Sequence, residues 1–205
     1  MSIVERALRH LRSHLSGLFR FEEFEEPMKV IVAPDGRLVT PAMVAMLRSF
    51  DTVLFLPDDA EGALQLQVTI DELDEAGPLR HLCDRWQAYH GPPADVRWAL
   101  LSIDAAKFEG EFVDGLALTR PNPLAPEEAR LCRECNSDPR LAATFKQACN
   151  AGLPMRVETP VLVGVDPMGF DVRGEFGVHR LEAPAPLGSA EEARAALRVL
   201  AGAGG

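Results

Sequence analysis

Basic residues are the first shortage in this 205-residue chain. Against 31 Asp and Glu stand 21 Lys and Arg, a formal net charge of -10 at pH 7. Neutralising phosphates needs the opposite balance, which argues against a nucleic-acid partner. Long apolar runs are missing too. None approaches the roughly 20 residues that cross a bilayer, so no membrane partner is expected. The N-terminus alternates leucines with arginines and histidines where an export signal carries an unbroken apolar stretch. The four cysteines, Cys83, Cys132, Cys135 and Cys149, lack the spacing of a secreted disulfide scaffold. Without an export signal they stay reduced, and the expectation is a cytoplasmic protein. No Gly-x-Ser-x-Gly elbow, phosphate loop or His-Glu-x-x-His motif occurs, so nothing supports a hydrolase or kinase.

What is present is an ordinary globular composition, 47% hydrophobic and 25% charged, long enough for one domain or two small ones. The most strongly specified stretch is Pro160 to Leu181. Val161, Val163 and Val165 alternate as in a strand. Asp166-Pro167-Met168-Gly169 is a turn in which proline presets φ, aspartate bonds back to the backbone and glycine tolerates the exit geometry. Phe170, Val172, Val178 and Leu181 supply the returning strands.

Along the rest of the chain, Val4, Leu8, Leu11, Leu15 and Leu18 fall on one face of a helix over residues 2–19, with Gly17 as a stop. That helix reads as a packing helix, a basic membrane-surface helix or a targeting segment. The acidic residues Glu22, Glu23, Glu25 and Glu26 that follow disfavour the membrane reading, and with Pro27 they read as a linker. Lys29–Ala33 is a strand, Pro34–Arg37 a turn, and Leu38-Val39 resume a strand. Thr40-Pro41 resembles a helix start, so Pro41–Leu47 is a short helix or a strand. Thr52–Leu56 is a buried strand, residues 57–62 a loop, and Ala63–Ile70 a half-exposed strand. Leu79–Tyr89 is a helix with Leu79, Leu82, Cys83 and Trp86 on one face. Val96–Ile103 is a strand, and Lys107–Leu118, with Gly110 and Gly115, is one bent strand or two short ones. Five or six short strands with two helices indicate a small antiparallel barrel with helical decoration. After Arg120-Pro121-Asn122-Pro123 come two helices. The first opens at Pro126-Glu127-Glu128; the second is capped at Asp138-Pro139 and buries Leu141, Ala142, Phe145 and Cys149. The strands of the 160–181 stretch follow, then a helix from the capping box Ser189–Glu192 through Leu200, and a frayed tail. The segments are therefore 1–27, 28–120 and 121–205, in an α+β fold.

One resemblance joins these readings. Gly164 to Arg173, Arg180-Leu181 and Ser189 to Arg194 resemble the small C-terminal domain of haem-utilisation proteins in the FMN-binding split-barrel superfamily. Leu131 to Asp138 sits where that domain carries a His-Met-Asn-x-Asp-His motif. Asn136 and Asp138 match it; Glu134 and Pro139 stand in place of its histidines. The resemblance implies an antiparallel split β-barrel of the pyridoxamine-phosphate-oxidase type for residues 28–120. It also implies a homodimer with the cofactor in its interface, and FMN or haem as that cofactor. For an FMN phosphate the available cations are Lys29, Arg37 and Arg48, because Asp51 to Leu79 contains no Arg or Lys. No histidine follows His179 to ligate a haem iron from the tail. The same two-part layout looks like that of plastid proteins that regulate tetrapyrrole synthesis by binding glutamyl-tRNA reductase, which implies a cofactor-free homodimer acting by contact.

The candidate chemistry is sparse. His90, in a loop at a helix end, is the general acid/base candidate, or a surface histidine. Trp86 and Trp98 stack on a flat ring or belong to the core. Cys132-x2-Cys135 with Cys149 and Cys83 is a zinc set, a redox pair or four incidental thiols. Asp166 and Asp171 are an acid/base or calcium pair, or they hold turn backbone. His179 and Arg180 are structural or dimer contacts. The expected catalytic residue is His90, and the expected cofactor residues are Lys29, Arg37, Arg48 and Trp86. Any activity is that of an FMN- or haem-dependent oxidoreductase.

Overall fold

The computed structural model describes residues 1–58, 61–93 and 97–202. Asp59 of the expected 57–62 loop, Val96 of the expected 96–103 strand and the last residues of the expected frayed tail lie outside them. The chain divides into two compact units, Met1–Pro121 and a second that begins at Asn122.

The first unit opens with α1 (Ile3–Ser13), capped by a reciprocal pair: Glu5 N–H donates to Ser2 Oγ, and Ser2 N–H to the Glu5 carboxylate. It buries Ala7, Leu8 and Leu11. The expected helix through residue 19 is corrected here, because the chain turns to strand at Ser16. Strands β1 (Ser16–Phe21) and β2 (Phe24–Lys29) form a hairpin, so the acidic "linker" is a sheet edge. The leucine spacing of α1 continues to Leu18, but the burial of Phe19 and Phe21 follows strand alternation. Gly17 does not stop a helix. It lets β1 approach β5, since a Cβ there would lie 1.9 Å from the Phe55 carbonyl oxygen. Charged Glu25 and Glu26 and the proline of β2 are tolerated because an edge strand leaves one side unpaired.

Next come β3 (Ile31–Val32), β4 (Leu38–Ala42) and a 3-10 turn (Met46–Arg48). Thr40 and Pro41 belong to β4 and cap no helix, which decides the open reading of residues 41–47. Strands β5 (Thr52–Leu56) and β6 (Leu64–Leu73), helix α2 (Arg80–His90), strands β7 (Arg97–Phe108) and β8 (Glu111–Asp114), and the short helix α3 (Gly115–Leu118) complete the unit. Of the expected strand at 107–118, only Glu111–Asp114 is a separate strand. Asp114 caps the helical turn that begins at Gly115, accepting from Leu116 N–H, and glycine is needed there because a Cβ would lie 2.0 Å from the Ile103 carbonyl oxygen.

All pairings are antiparallel, in the order β2-β1-β5-β6-β7-β4-β3, with β8 on β7. The sheet curls into a half-barrel, and the fold class is α+β as read from the sequence. Phe19, Ile31, Leu38, Leu54, Leu66 and Leu101 fill its core. Burying such a side chain contributes roughly 1.5–3 kcal/mol.

The second unit holds α4 (Ala125–Ser137), α5 (Pro139–Gly152), strands β9 (Val161–Asp166), β10 (Gly169–Gly174) and β11 (Gly177–Glu182), and α6 (Ala190–Gly202). The sheet order is β11-β10-β9. The reversal at Asp166–Gly169 stands where the sequence puts it. Asp166 Oδ1 accepts from Met168 N–H at 2.7 Å. Gly169 sits at φ +150°, where a Cβ would lie 2.3 Å from the Leu181 carbonyl oxygen. Phe145, Cys149, Leu162, Phe170, Leu181 and Leu197 lie in one apolar core.

Candidate functional site

The first unit carries a cleft of about 520 Å³, within the range of roughly 300–1,000 Å³ usual for small-molecule sites. Its best-defined wall is the end of α2. Trp86 and His90 are four residues apart, on one helical face, with ring centroids 4.8 Å apart. Both reach the junction of β2 and β3. Trp86 Nε1 donates to the Lys29 carbonyl at 2.9 Å, and His90 Nε2 lies 2.9 Å from the Val30 carbonyl. Thr40 Oγ1 donates to the same Lys29 oxygen at 2.9 Å. A carbonyl only accepts, so His90 presents an Nε2 proton to Val30. Trp98 braces Trp86 edge-on at 5.6 Å.

Met28, Met43 and Met46 line the same cleft. Thioethers are polarisable and adapt to irregular or aromatic surfaces. Lys29 and Glu26 bring one charge of each sign. The fold therefore gathers Lys29, Trp86 and His90 of the expected site and leaves out Arg37 and Arg48. Arg37 lies in the β3–β4 turn, where Nε and Nη2 hold the Asp35 carboxylate at 2.8 and 2.7 Å. Arg48 ends the 3-10 turn, outside the lining residues.

This composition discriminates between the two cofactors. An FMN phosphate dianion needs several cations or inward N–H groups. Here the charged lining residues are one lysine and one glutamate, and Arg37 is engaged by Asp35, so these residues offer an FMN phosphate a single cation. Haem asks for apolar walls and imidazole or thioether donors; the methionines, prolines and Trp86 give this partly polar cleft apolar wall, and His90 is its imidazole.

In the second unit, the residues that carry the resemblance have structural work. Asn136 clamps β9, donating to the Leu162 carbonyl at 2.8 Å and accepting Leu162 N–H at 2.9 Å. Buried Asn122 and Glu128 treat Val165 alike: Asn122 Nδ2 donates to its carbonyl at 2.8 Å, and Glu128 Oε1 accepts its N–H at 2.8 Å. Side chains thus occupy edge groups of β9 that a further strand would use. Asp138 caps α5, accepting from Arg140 N–H and Leu141 N–H. Pro139 is the first residue of that helix, where its missing N–H costs nothing. Glu134 pairs with Arg194 on α6 and Arg130 on α4, and the Arg194 hydrogen bond holds its carboxyl below the usual range.

Arg180, almost wholly buried, joins Asp166 and Asp171 across the sheet, with Nη1 donating to Asp171 at 2.8 Å and Nη2 to Asp166. Burial alone would lower its pKa, but the two carboxylates more than reverse this and raise it. The Asp166–Asp171 pair is therefore the counter-charge of a buried arginine. Burial pushes the Cys83 and Cys135 thiols up to about 11. Cys149 is pushed up to about 12 by burial and then by neighbouring Cys135. Neutral thiols are poor nucleophiles and metal ligands. Among the described residues, no group of three or more His, Cys, Asp or Glu is placed to share a metal ion.

Two features escaped the sequence reading. The methionines share one cleft although they come from β2, the β4–β5 connection and its 3-10 turn, and no local period announces that. His10 and His14 stack at 4.1 Å; their four-residue spacing was the available signal.

No family model and no curated protein matches this sequence. Among solved structures, the chain is similar to the protein Atu2129, of unknown function, from Agrobacterium tumefaciens str. C58. The TM-score is 0.76 at 15% identity, over 97% of this chain and 95% of that one. At that identity the likeness is one of fold. A heme binding protein from Mycobacterium smegmatis aligns over 98% of this chain and 97% of that one at 18% identity, but with a TM-score of 0.45, too low to relate the two folds. No helix among the described residues is long and apolar enough to cross a membrane.

Proposed function

We propose that the half-barrel unit binds a flat, largely apolar cofactor of the haem class in the Lys29–Trp86–His90 cleft. The observation that carries this reading is the convergence of Trp86, His90 and three methionines on one cleft of suitable size. His90 donates Nε2–H to the Val30 carbonyl, the second-shell arrangement common for a metal-binding imidazole, which orients the ring. Met28, Met43 and Met46 offer thioethers and soft packing, Trp86 a flat face, and Lys29 a charge for a carboxylate. A bound haem would supply the redox or ligand chemistry of its iron. The resemblance further implies a homodimer, expected at about twice the chain mass of 22.4 kDa in light scattering. Neutral cysteines suit a reducing cytoplasm.

Titrating the purified protein with hemin and with FMN tests the reading. A saturable Soret shift at micromolar hemin, weakened by His90→Ala, and no flavin binding are expected. Absence of any hemin binding by the folded protein would sink it. A specific observation favours one other reading, a cofactor-free homodimer acting by protein contact: Glu134 and Pro139 replace the motif histidines, while Asn136 braces β9 and Asp138 caps α5. Silence with both ligands in a stable dimer favours that alternative.

A further inference from the structure

The C-terminal end of α1 is tied by His10 to the strand end that precedes the cleft residue Pro57, and His14 closes the helix on the His10 carbonyl. His10 Nε2 donates to the Leu56 carbonyl at 2.9 Å, and His14 Nδ1 to the His10 carbonyl at 2.9 Å. One residue on, the Leu15 carbonyl accepts Val30 N–H at 2.8 Å, and the Val30 carbonyl in turn takes the His90 proton. Ser16 and Gly17 directly follow this region, Pro57 directly follows Leu56, and all three line the cleft. The half-buried His10 ring is stacked on His14 at 4.1 Å and lies 4.9 Å from Phe108.

We infer that His10 and His14 form a proton-sensitive latch: a proton taken up in the stack loosens α1 and the cleft wall at Ser16, Gly17 and Pro57, and so lowers the cleft's affinity in acid. The effect on affinity rests on the reading of the cleft given above; the latch itself does not. With both rings neutral, each has one N–H and one carbonyl to receive it, and the faces stack without charge. A charge on His10 would sit between a second imidazole and a phenyl ring, partly away from water. The charged groups acting on His10 are His14 from its own helix and Glu109 from the β7–β8 turn; Glu109 already holds Arg6 at 2.8 Å. Leu56 and Phe108 bring no charge. Desolvation lowers the His10 pKa and His14 adds to that, while the Leu56 carbonyl and Glu109 oppose them.

The sign follows by linkage. The docked state binds its proton less readily than a free histidine does. Docking is therefore at full strength above the ordinary value of about 6.5 and weakens as pH falls through it. The loss stops growing below the lowered value of the docked ring.

Backbone hydrogen exchange of the whole protein at pH 7.5 and 5.5, corrected for intrinsic rates, tests this. Protection of Ile3–Ser13 and of Leu54–Leu56 is expected to fall more than about threefold at pH 5.5, relative to the amides of α5 as internal reference. His10→Gln, which keeps a donor for Leu56 but does not titrate, should abolish the difference, with His14→Gln as a second variant if the first folds poorly. Unchanged α1 protection in the wild type, or the same fall in both variants, overturns the latch. Hemin serves as the cleft probe at both pH values. A fall in hemin affinity between pH 7.5 and 5.5 that is clearly larger in the wild type than in His10→Gln supports the coupling, because protonation of His90 acts equally in both, and an equal fall or no fall in the two proteins overturns it. Failure to bind hemin at either pH overturns the cleft reading alone, and the exchange data still decide the latch.

Discussion

Replacing Arg180 with methionine is the sharpest test of how the second unit holds together. The guanidinium is almost fully buried between Asp166 and Asp171, whose side chains are 5% and 11% exposed. Methionine keeps much of the aliphatic stem and removes the charge. Two carboxylates then face each other without a cation in a low-dielectric site. Breaking a buried ion pair from one side costs about 3–5 kcal/mol. A unit of this size has a total stability on the order of 4–12 kcal/mol, so the variant should be near the edge of unfolding at neutral pH. Both tryptophans, Trp86 and Trp98, lie in the first unit. Urea unfolding should therefore be followed by far-ultraviolet circular dichroism for helices α4–α6 and by tryptophan fluorescence for the half-barrel. The dichroism midpoint should fall sharply while the fluorescence midpoint moves little. Adding Asp166→Asn and Asp171→Asn removes the buried charge and should recover part of the loss. A loss under about 1 kcal/mol, or one that the asparagines do not reduce, would refute this account of the triad.

Two further outcomes follow from the same unit. Asn136→Ala removes both bonds to Leu162. Asn136 lies at the surface, where water can replace it in part, so the cost should be about 1–2 kcal/mol; an altered hemin titration in that variant would mean that Asn136 does more than brace β9. In thiol labelling of the native protein, Cys83, Cys135 and Cys149 should react only as fast as the protein opens, because they are buried and neutral, whereas half-buried Cys132 should react first. Rapid labelling of all four under native conditions would contradict the burial.

Much of the architecture was legible from local chemistry. The Asp166–Gly169 reversal, the capping box at Ser189, the Asp138 cap and the alternation of Leu64, Leu66 and Val68 each state their element within a few residues. The N-terminus was not legible in this way. Leu15 and Leu18 extend the helical spacing of α1, and only pairing with β2 and β5 shows that strand begins at Ser16. The acids at 22, 23, 25 and 26 looked like a linker because an edge strand with a solvent-facing side carries the same composition. Thr40-Pro41 looked like a helix start, but Thr40 spends its hydroxyl on the Lys29 carbonyl across the sheet.

The candidate site divides along the same line. Trp86 and His90 share a helical face by spacing alone, and composition set the acidity and the scarcity of cations in the middle of the chain. Those properties are determined by the sequence, because they depend on residues a few positions apart or on none at all. Which lysine reaches the cleft, that Arg37 turns to Asp35, that Met28 meets Met43 and Met46, and that Asn136 braces β9 were decided only by the tertiary structure. The lysine, the meeting of Met28 with Met43 and Met46, and the bracing of β9 depend on elements far apart in the chain coming within reach; the Arg37–Asp35 pair lies within one turn, but only the fold shows that it stands away from the cleft.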